Sequence, residues 1–412
     1  METREVKLGD IVKHNKGYAF KSSEYTDEGV MVVRVTDFTL DSISDADAVY
    51  LAPDDRYDKF VLKTNDILIQ TVGSWANNPN SIVGKVVRVP KQCDNAYLNQ
   101  NIVRIIPNND LDNTYLFYAL KANHFSTYCV LRGQGAANQA SITLDTIFRF
   151  KFKAHNFTAQ KRIAGILSAY DNLIENNNKR IRLLEQMADN LYKEWFVRFR
   201  FPGYENESFI EGIPSSWRYV QLGDIASFDR GISYSSDEIN CDDGINLINL
   251  KNIQSYGGFR RDGTKQYNGK YKDSQIVAVG DLILGVTDMT QDRRTVGSVA
   301  LIPQISGTSA ISADLVKVNL KVPNVFFYCM CRYGFYSKFF SQFANGANVL
   351  HLKPNVLLNK KILLPTAKLI EAFAEKVQPM IDILDDLNRQ NDLLTKQRDL
   401  LLPRLMSGKL EV

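Results

Sequence analysis

The feature that most constrains this chain is that it is written twice. "KLGDIVKHNKGYAF" from Lys7 returns as "QLGDIASFDRGISY" from Gln221, "NDILIQTVGS" from Asn65 as "GDLILGVTDM" from Gly280, and "SIVGKVVRVP" from Ser81 as "TVGSVALIP" from Thr295. "LFYALKANHFSTY" from Leu116 returns as "FFYCMCRYGFYSKF" from Phe326, and "GAANQASI" from Gly135 loosely as "GANVLHL" from Gly346. The offset stays near 210 to 215 residues, about half of the 412-residue chain. That is a duplicated module; solenoid repeats recur every 20 to 50 residues or so.

Each copy opens with short Val/Ile runs broken by Gly, Pro, Asn and Asp, the pattern of strands joined by turns. Strands are expected at 66–71, 82–89 and 102–106, and again at 281–286, 296–302 and 315–320, with helical patches near 114–131 and 324–343. Each copy closes in a long helix, starting near Thr158 and Lys368, and Gly408 suits the C-cap of the second. "RFRFPGYENESFIEGIPSSW" reads as an extended linker between the copies. The expected fold is α+β, with boundaries at 1–156 (first domain), 157–200 (first long helix), 201–366 (linker and second domain) and 367–412 (second long helix).

Apolar residues on both helices keep a strict four–three spacing, the mark of a coiled-coil seam. The first runs Ile163, Leu167, Tyr170, Ile174, Asn177, Ile181, Leu184, Ala188, Leu191, Trp195; the second Phe373, Val377, Met380, Leu384, Leu387, Asn391, Leu394, Arg398, Leu401, Leu405. Set antiparallel, the two seams oppose Asn177 to Asn391, Ala188 to Met380, Trp195 to Phe373, and Tyr170 to Arg398 as a cation–π contact. The Asn pair is expected to set the register, as single buried polar residues do elsewhere. Pro379 is expected to kink the second helix near its start. Antiparallel pairing of duplicated helices implies an internal pseudo-two-fold axis between two similar domains. About forty residues of helix span roughly 60 Å, which suits a split target or two spaced protein partners.

Apolar content of 44% and charged content of 23% belong to a folded globular chain. Fifty basic against 46 acidic residues leave a net charge of +4, so any nucleic-acid footprint must be local. The cysteines (Cys93, Cys129, Cys241, Cys329, Cys331) lack zinc-site spacing, and those in "FFYCMCRY" read as buried free thiols of a reducing cytoplasm. The charged start has no signal-peptide core, and no apolar run is long enough to span a membrane.

"LYKEWFVRFRFPG" from Leu191, preceded by "NNNKRIRLLEQMADN", resembles the central conserved region of the specificity subunits of type I restriction–modification systems. "LLPRLMSGKL" from Leu401 resembles their C-terminal conserved region; "LGDI" in each half and "AQKRIAGIL" from Ala159 are similar to the family as well. "LIEAFAEKV" from Leu369 departs from it by lacking the Gln-Lys-Arg of the first copy. The resemblance implies two target recognition domains that read a bipartite double-stranded DNA site, and helices that set the spacer and dock two modification (methyltransferase) subunits. Restriction (motor-nuclease) subunits complete a cytoplasmic prokaryotic complex for phage defence. It also implies no active site or cofactor in this chain; S-adenosylmethionine, ATP and Mg are expected in partner subunits.

The residues agree that catalytic signatures are absent. No Asn/Asp-Pro-Pro-aromatic tetrapeptide occurs, "GGFRRDGTK" from Gly257 lacks the P-loop Lys position and reads as a hairpin turn, and "RGQGAAN" from Arg132 is a broken G-x-G-x-x-G. His14, His124, His155 and His351 lack metal-ligand spacing. DNA contacts are then expected from three loops that recur in both copies. The first offers Lys16, Tyr18 and Lys21 against Arg230 and Tyr234. The second offers Ser74, Trp75, Asn77 and Asn78 against Thr290, Gln291, Arg293 and Arg294. The third offers Arg132, Gln134, Asn138 and Gln139 against Asn345, Asn348 and His351. Such side chains read base edges and phosphates, although Gly and Asn also build ordinary solvated turns. Trp195, Phe196 and Arg198 form an aromatic–basic cluster expected to be buried against a recognition domain or to dock a modification subunit. Two rival readings stay open: a coiled-coil adaptor that spaces two protein-binding domains, and a methyltransferase or nuclease.

Overall fold

The Val/Ile runs form the same sheet twice in a computed structural model that describes residues 3–39, 41–75, 81–122, 124–136, 139–239 and 243–412. The chain divides into two compact units, one of residues up to Asn176 with Asn391–Val412, the other of Asn177–Gln390. In the first unit the strand order is Val12–Lys16, Ile102–Pro107, Ile67–Gln70, Val86–Arg88, all antiparallel. In the second it is Ala226–Arg230, Leu315–Leu320, Leu282–Gly285, Val299–Leu301, again all antiparallel. A second sheet accompanies each. One joins Val49–Leu51, Val30–Val33 and Tyr97–Leu98; the other joins Lys265–Tyr267, Ile245–Ile248, Ser309–Ile311 and Ile276–Val277. One pairing in each is parallel, Val30–Val33 with Tyr97–Leu98 and Ile245–Ile248 with Ser309–Ile311.

The expected helical patches each split in two, Asn113–Ala122 with Phe125–Arg132, and Asn324–Tyr333 with Tyr336–Ser341. The breaks fall next to His124 and Phe335, whose φ of 54° and 67° cannot continue a right-handed helix. The long helices run Phe157–Tyr192 and Ala367–Met406. The first ends in a π-helical turn, Lys193–Val197. The second continues through Pro379, which is exposed. It stops before Gly408, whose φ of 71° ends it.

Within each unit the two helices pair antiparallel. In the first, Ile163 and Leu167 share a core with Leu402, Leu405 and Met406. In the second, Ala188, Tyr192 and Trp195 share a core with Ile370, Phe373 and Val377, and the Trp195 and Phe373 rings meet at 5.8 Å. Every residue of the two seams is buried or half-buried. Asn177 is buried and its Nδ2 donates to Gln390 Oε1 at 3.5 Å; Asn391 is half-buried.

Arg398 departs from expectation. Instead of stacking on Tyr170 its guanidinium is buried among carboxylates, with Nη1 2.7 Å from Asp171 and 2.8 Å from Asp41. Asp171 also takes Arg88 Nη2 at 3.0 Å and the Tyr118 hydroxyl, and Asp41 takes Lys121. An ion pair out of water outranks a cation–π contact when carboxylates are within reach. The second unit uses the residue one repeat later: Asp385 accepts Arg261 and, at 2.8 Å, the Gln304 amide, while Arg332 reaches Glu185 at 2.8 Å.

The linker is a second correction. It folds as a short hairpin, Phe209–Ile210 against Ile213–Pro214, and its ends are buried: Phe196 packs on Trp217 at 5.8 Å, with Phe199 and Phe201 against the same indole. Four aromatic rings at roughly 0.5–1.5 kcal/mol per pair beyond area burial keep this segment on the second core. Cys93, Cys129, Cys329 and Cys331 are buried free thiols, and burial pushes those of Cys93 and Cys129 up to about 12.

Arg398→Ala takes one cation from each of two half-buried carboxylates, which keep Arg88 and Lys121, and the first unit is expected to lose about 1.5–3 kcal/mol in a denaturant melt. Burial acts to raise the Asp41 pKa, but Lys121 and Arg398 outweigh it and hold the carboxyl below its ordinary value. Asp41 therefore stabilises fully at neutral pH and ceases to do so as the pH falls through the carboxylate range, below about 4. An acid melt of Asp41→Asn is expected to be flatter than that of the parent.

Candidate nucleic-acid interface

The first two recurring loops leave one end of the four-stranded sheet, and the third leaves the helix Phe125–Arg132 in one unit and Tyr336–Ser341 in the other. Lys16 ends the first strand opposite Val103, and Gln70 ends the third opposite Ile102; in the second unit Arg230 faces Val316 and Gly285 faces Leu315. The first loop crosses the turn that enters the middle strand. Gly17 N donates to Ile102 O at 3.1 Å, and Gly231 N to Leu315 O at 3.3 Å. Each glycine is required by this crossing, since a Cβ would lie 2.0 Å from Asn99 O or 2.1 Å from Ser312 O. The same turn holds the second loop, through Thr71 N on Asn101 O and Val286 N on Asp314 O, both 2.9 Å.

The second and third loops are joined by a two-residue ladder, Val72–Gly73 with Ala140–Ser141 and Thr287–Asp288 with Leu350–His351. A side chain then ties them at the tip: Trp75 Nε1 donates to Ala136 O at 2.9 Å, and Gln291 Nε2 to Ala347 O at 2.7 Å. Gly135 and Gly346 adopt φ of 148° and 150°, which allows the third loop to fold back on itself. Thus all three loops of a unit meet at one edge.

The second loop is held differently in the two units. In the first, buried Gln70 donates Nε2 to Val72 O at 2.9 Å and Ser81 O at 3.0 Å, over Gly73. In the second, Gly285 replaces the glutamine and Asp288 replaces the glycine. Buried Asp288 accepts from Thr290 N and Oγ1, both 2.9 Å, and from Thr295 N at 2.8 Å. Burial acts to raise the Asp288 pKa, but the bonds from Thr295 and Thr290 outweigh it and keep the group a carboxylate.

The expected contact residues therefore divide. Lys16, Lys21, Gln134, Gln139, Arg230, Asn345, Asn348 and His351 are exposed on the loops. Tyr18 is 42% exposed, beside Phe20, Tyr57 and Phe60 at 5.1, 5.2 and 5.3 Å. Arg132 lies over the Tyr128 ring at 4.1 Å, and Tyr234 is half-buried under Lys265 Nζ. Ser74, Trp75, Thr290, Gln291 and Arg293 spend donors inside the loops; Ser74 N reaches Ser81 O at 2.6 Å and Arg293 Nη1 reaches Ser341 O at 2.5 Å. Asn77, Asn78 and Asn138 lie outside the described residues. Trp195 and Phe196 are buried in the second unit's own core, the first of the two settings expected for them; Arg198 is exposed and paired with Glu194.

Sequence reading missed the segment Asp55–Phe60, which the Tyr18–Tyr57 contact brings beside the first loop. Its alternation of charge and aromatic residues, "DDRYDKF", was the available signal. Among the described residues no group of His, Cys, Asp or Glu could hold a metal ion, and no helix is long and apolar enough to cross a membrane.

Residues 1–186 match the family described as type I restriction modification DNA specificity domain. The type I restriction enzyme MjaVIII specificity subunit of Methanocaldococcus jannaschii is 23% identical over 99% of this chain and 92% of its own length. The MjaIX specificity subunit of the same organism is 26% identical over 76% of this chain and 73% of its own. The crystal structure of a type I restriction–modification S subunit from M. genitalium superposes with a TM-score of 0.61 at 15% identity, over 98% of this chain and 96% of that one, and shows the same fold. By its family match, its relatives and its fold, the chain is related to the specificity subunits of type I restriction–modification systems.

Proposed function

We propose that this chain is the DNA-reading subunit of a type I restriction–modification complex, each unit reading one half of a bipartite double-stranded target. The observation that carries this is the loop-bearing sheet edge, built twice on one scaffold with different side chains. A duplicated scaffold accounts for two readers, and divergent loops for two unlike half-sites. The long helices contribute residues to both units, and their length would set the unspecified spacer. Methyl transfer and cleavage would belong to modification and motor-nuclease subunits, which would carry S-adenosylmethionine, ATP and Mg and act with this chain in the cytoplasm. The adaptor reading explains the spacing but not the relatives, which are named as specificity subunits.

The exposed large apolar residues beside the helix seams have a pattern that supports docking. With Asn177 at heptad position d, Ile166 and Leu173 fall at g, with Leu393 and Leu400 at c, in the first unit. In the second, Leu183 falls at c, and Met187 and Ile383 at g. Positions c and g adjoin, whereas Asp171 and Glu185, at e, turn to the unit's own domain. This face is the proposed seat of the modification subunits.

Three measurements test the proposal. Affinity for duplex DNA is expected to fall steeply with salt, as phosphate contacts require; a salt-independent or absent interaction would favour the adaptor. Exchanging residues 1–155 for the matching domain of a relative is expected to change one half of the methylated site and leave the other. Leu173→Glu with Leu393→Glu is expected to abolish co-purification with modification subunits while the melting temperature stays within a few degrees, because both side chains are exposed.

A further inference from the structure

Two exposed arginines at these edges are each held by an aspartate two residues earlier. Arg56 lies in the short helix Asp55–Phe60, beside the first loop of the first unit. Its side chain is 78% exposed, yet it is fixed: Nε lies 3.0 and 2.8 Å from Asp54 Oδ1 and Oδ2, and Nη2 lies 2.6 Å from Oδ2. Asp54 Oδ1 also accepts the Arg56 amide at 2.9 Å, and the Asp54 amide donates to the buried Tyr97 hydroxyl at 3.1 Å. The guanidinium then lies over the Tyr57 ring, 5.6 Å from its centre. In the second unit Arg294, in the second loop, has Nη2 3.1 Å from Asp292 Oδ2, with both side chains more than half exposed.

An exposed ion pair between near neighbours adds little to stability and links no distant parts of the chain. What Asp54 does accomplish is orientation. It occupies the inner edge of the guanidinium, Nε and Nη2, and leaves the outer edge, with the Nη1 hydrogens and the second Nη2 hydrogen, directed away from itself. An arginine fork presents two parallel donors, and among base edges in the major groove guanine alone offers two adjacent acceptors, O6 and N7. Fixing the fork beforehand removes rotamer freedom that binding would otherwise cost. The other exposed arginine–aspartate pairs among the described residues lie in other elements: Arg389 with Asp386 on a long helix, Arg149 with Asp145 at the short helix Leu144–Phe148, and Arg4 with Asp110 at the strand Thr3–Lys7, while Arg260 with Asp262 adjoins Arg261, which is committed to Asp385.

Building on the DNA-reading function proposed above, we infer that Arg56 and Arg294 each read a guanine, one in each half-site, with Asp54 and Asp292 as positioning residues. The test selects random duplex DNA with the full chain assembled with its modification subunits, followed by sequencing. The parent is expected to return a bipartite motif with a guanine, on either strand, in both halves. Arg56→Lys keeps the charge and loses the planar fork. It is expected to weaken the preference for one guanine of the first half roughly five- to hundredfold, with the second half and the slope of affinity against salt unchanged. Arg294→Lys is expected to do the converse, and Asp54→Asn to weaken the same guanine as Arg56→Lys. A uniform loss over all sequences would make Arg56 a phosphate contact and overturn the inference, as would an unchanged motif. A parent that returns no bipartite motif at all would instead overturn the DNA-reading function itself.

Discussion

A carboxylate on each long helix is what fastens a globular domain to it. Asp171 and Asp385 stand one repeat apart in the sequence, and each accepts an arginine and a further donor from the domain of its own unit. Burying such charges is costly unless the partners are complete, and here they are complete to the point of redundancy: Asp171 takes Arg88, Tyr118 and Arg398. Apolar contact alone would let a domain slide along a helix with little change in buried area. A carboxylate with several directional partners permits one placement. The domain's orientation on its helices is therefore specified by few residues, and the loops at the sheet edge inherit that orientation.

The scaffold is conserved between the units while the parts that stabilise its loops are exchanged. Gln70 reaches over Gly73 to hold one loop; Asp288 sits under its own loop opposite Gly285. The large side chain and the glycine have traded places across the ladder. Gln70 meets backbone carbonyls and Asp288 meets backbone amides, and both serve because what a buried loop requires is that its donors and acceptors be met, by whichever neighbour. A loop supported this way can change its outer residues without disturbing the strands beneath it.

These particulars also explain what was legible in the sequence. The strands were, because buried runs such as "DILIQ" and "DLILG" leave a continuous apolar signature between turn formers. So was the meeting of Trp195 with Phe373, because heptad spacing projects directly onto a helix face. Arg398 was misread because the seam tells which residues face the partner helix and nothing about a loop such as that bearing Asp41, over 350 residues away. The linker was misread because Phe201 and Trp217 lie at its two ends without periodicity, and only the fold reveals that both meet Phe196 and its neighbours. Recurrence drew attention to the three loops, and the fold joins them at one edge. The division of its side chains was not, because a donor spent on a distant carbonyl, as in Trp75 to Ala136, has no counterpart in local sequence.

Separate cores give this duplication its use. Each unit buries its own sheet, its own helical patch and its own stretch of both long helices. A substitution in the loops of one unit therefore changes contacts that the other unit does not share, and changes more than about 7–10 Å apart with no common partner act additively. On the proposed DNA-reading function, the two half-sites could then vary one at a time. The seam residues and the two helix carboxylates cannot vary so freely, since each belongs to packing on which a whole unit rests. The same physical division, between loops free to change and a frame that answers only to itself, is what would let one scaffold serve unlike sequences under the proposed function.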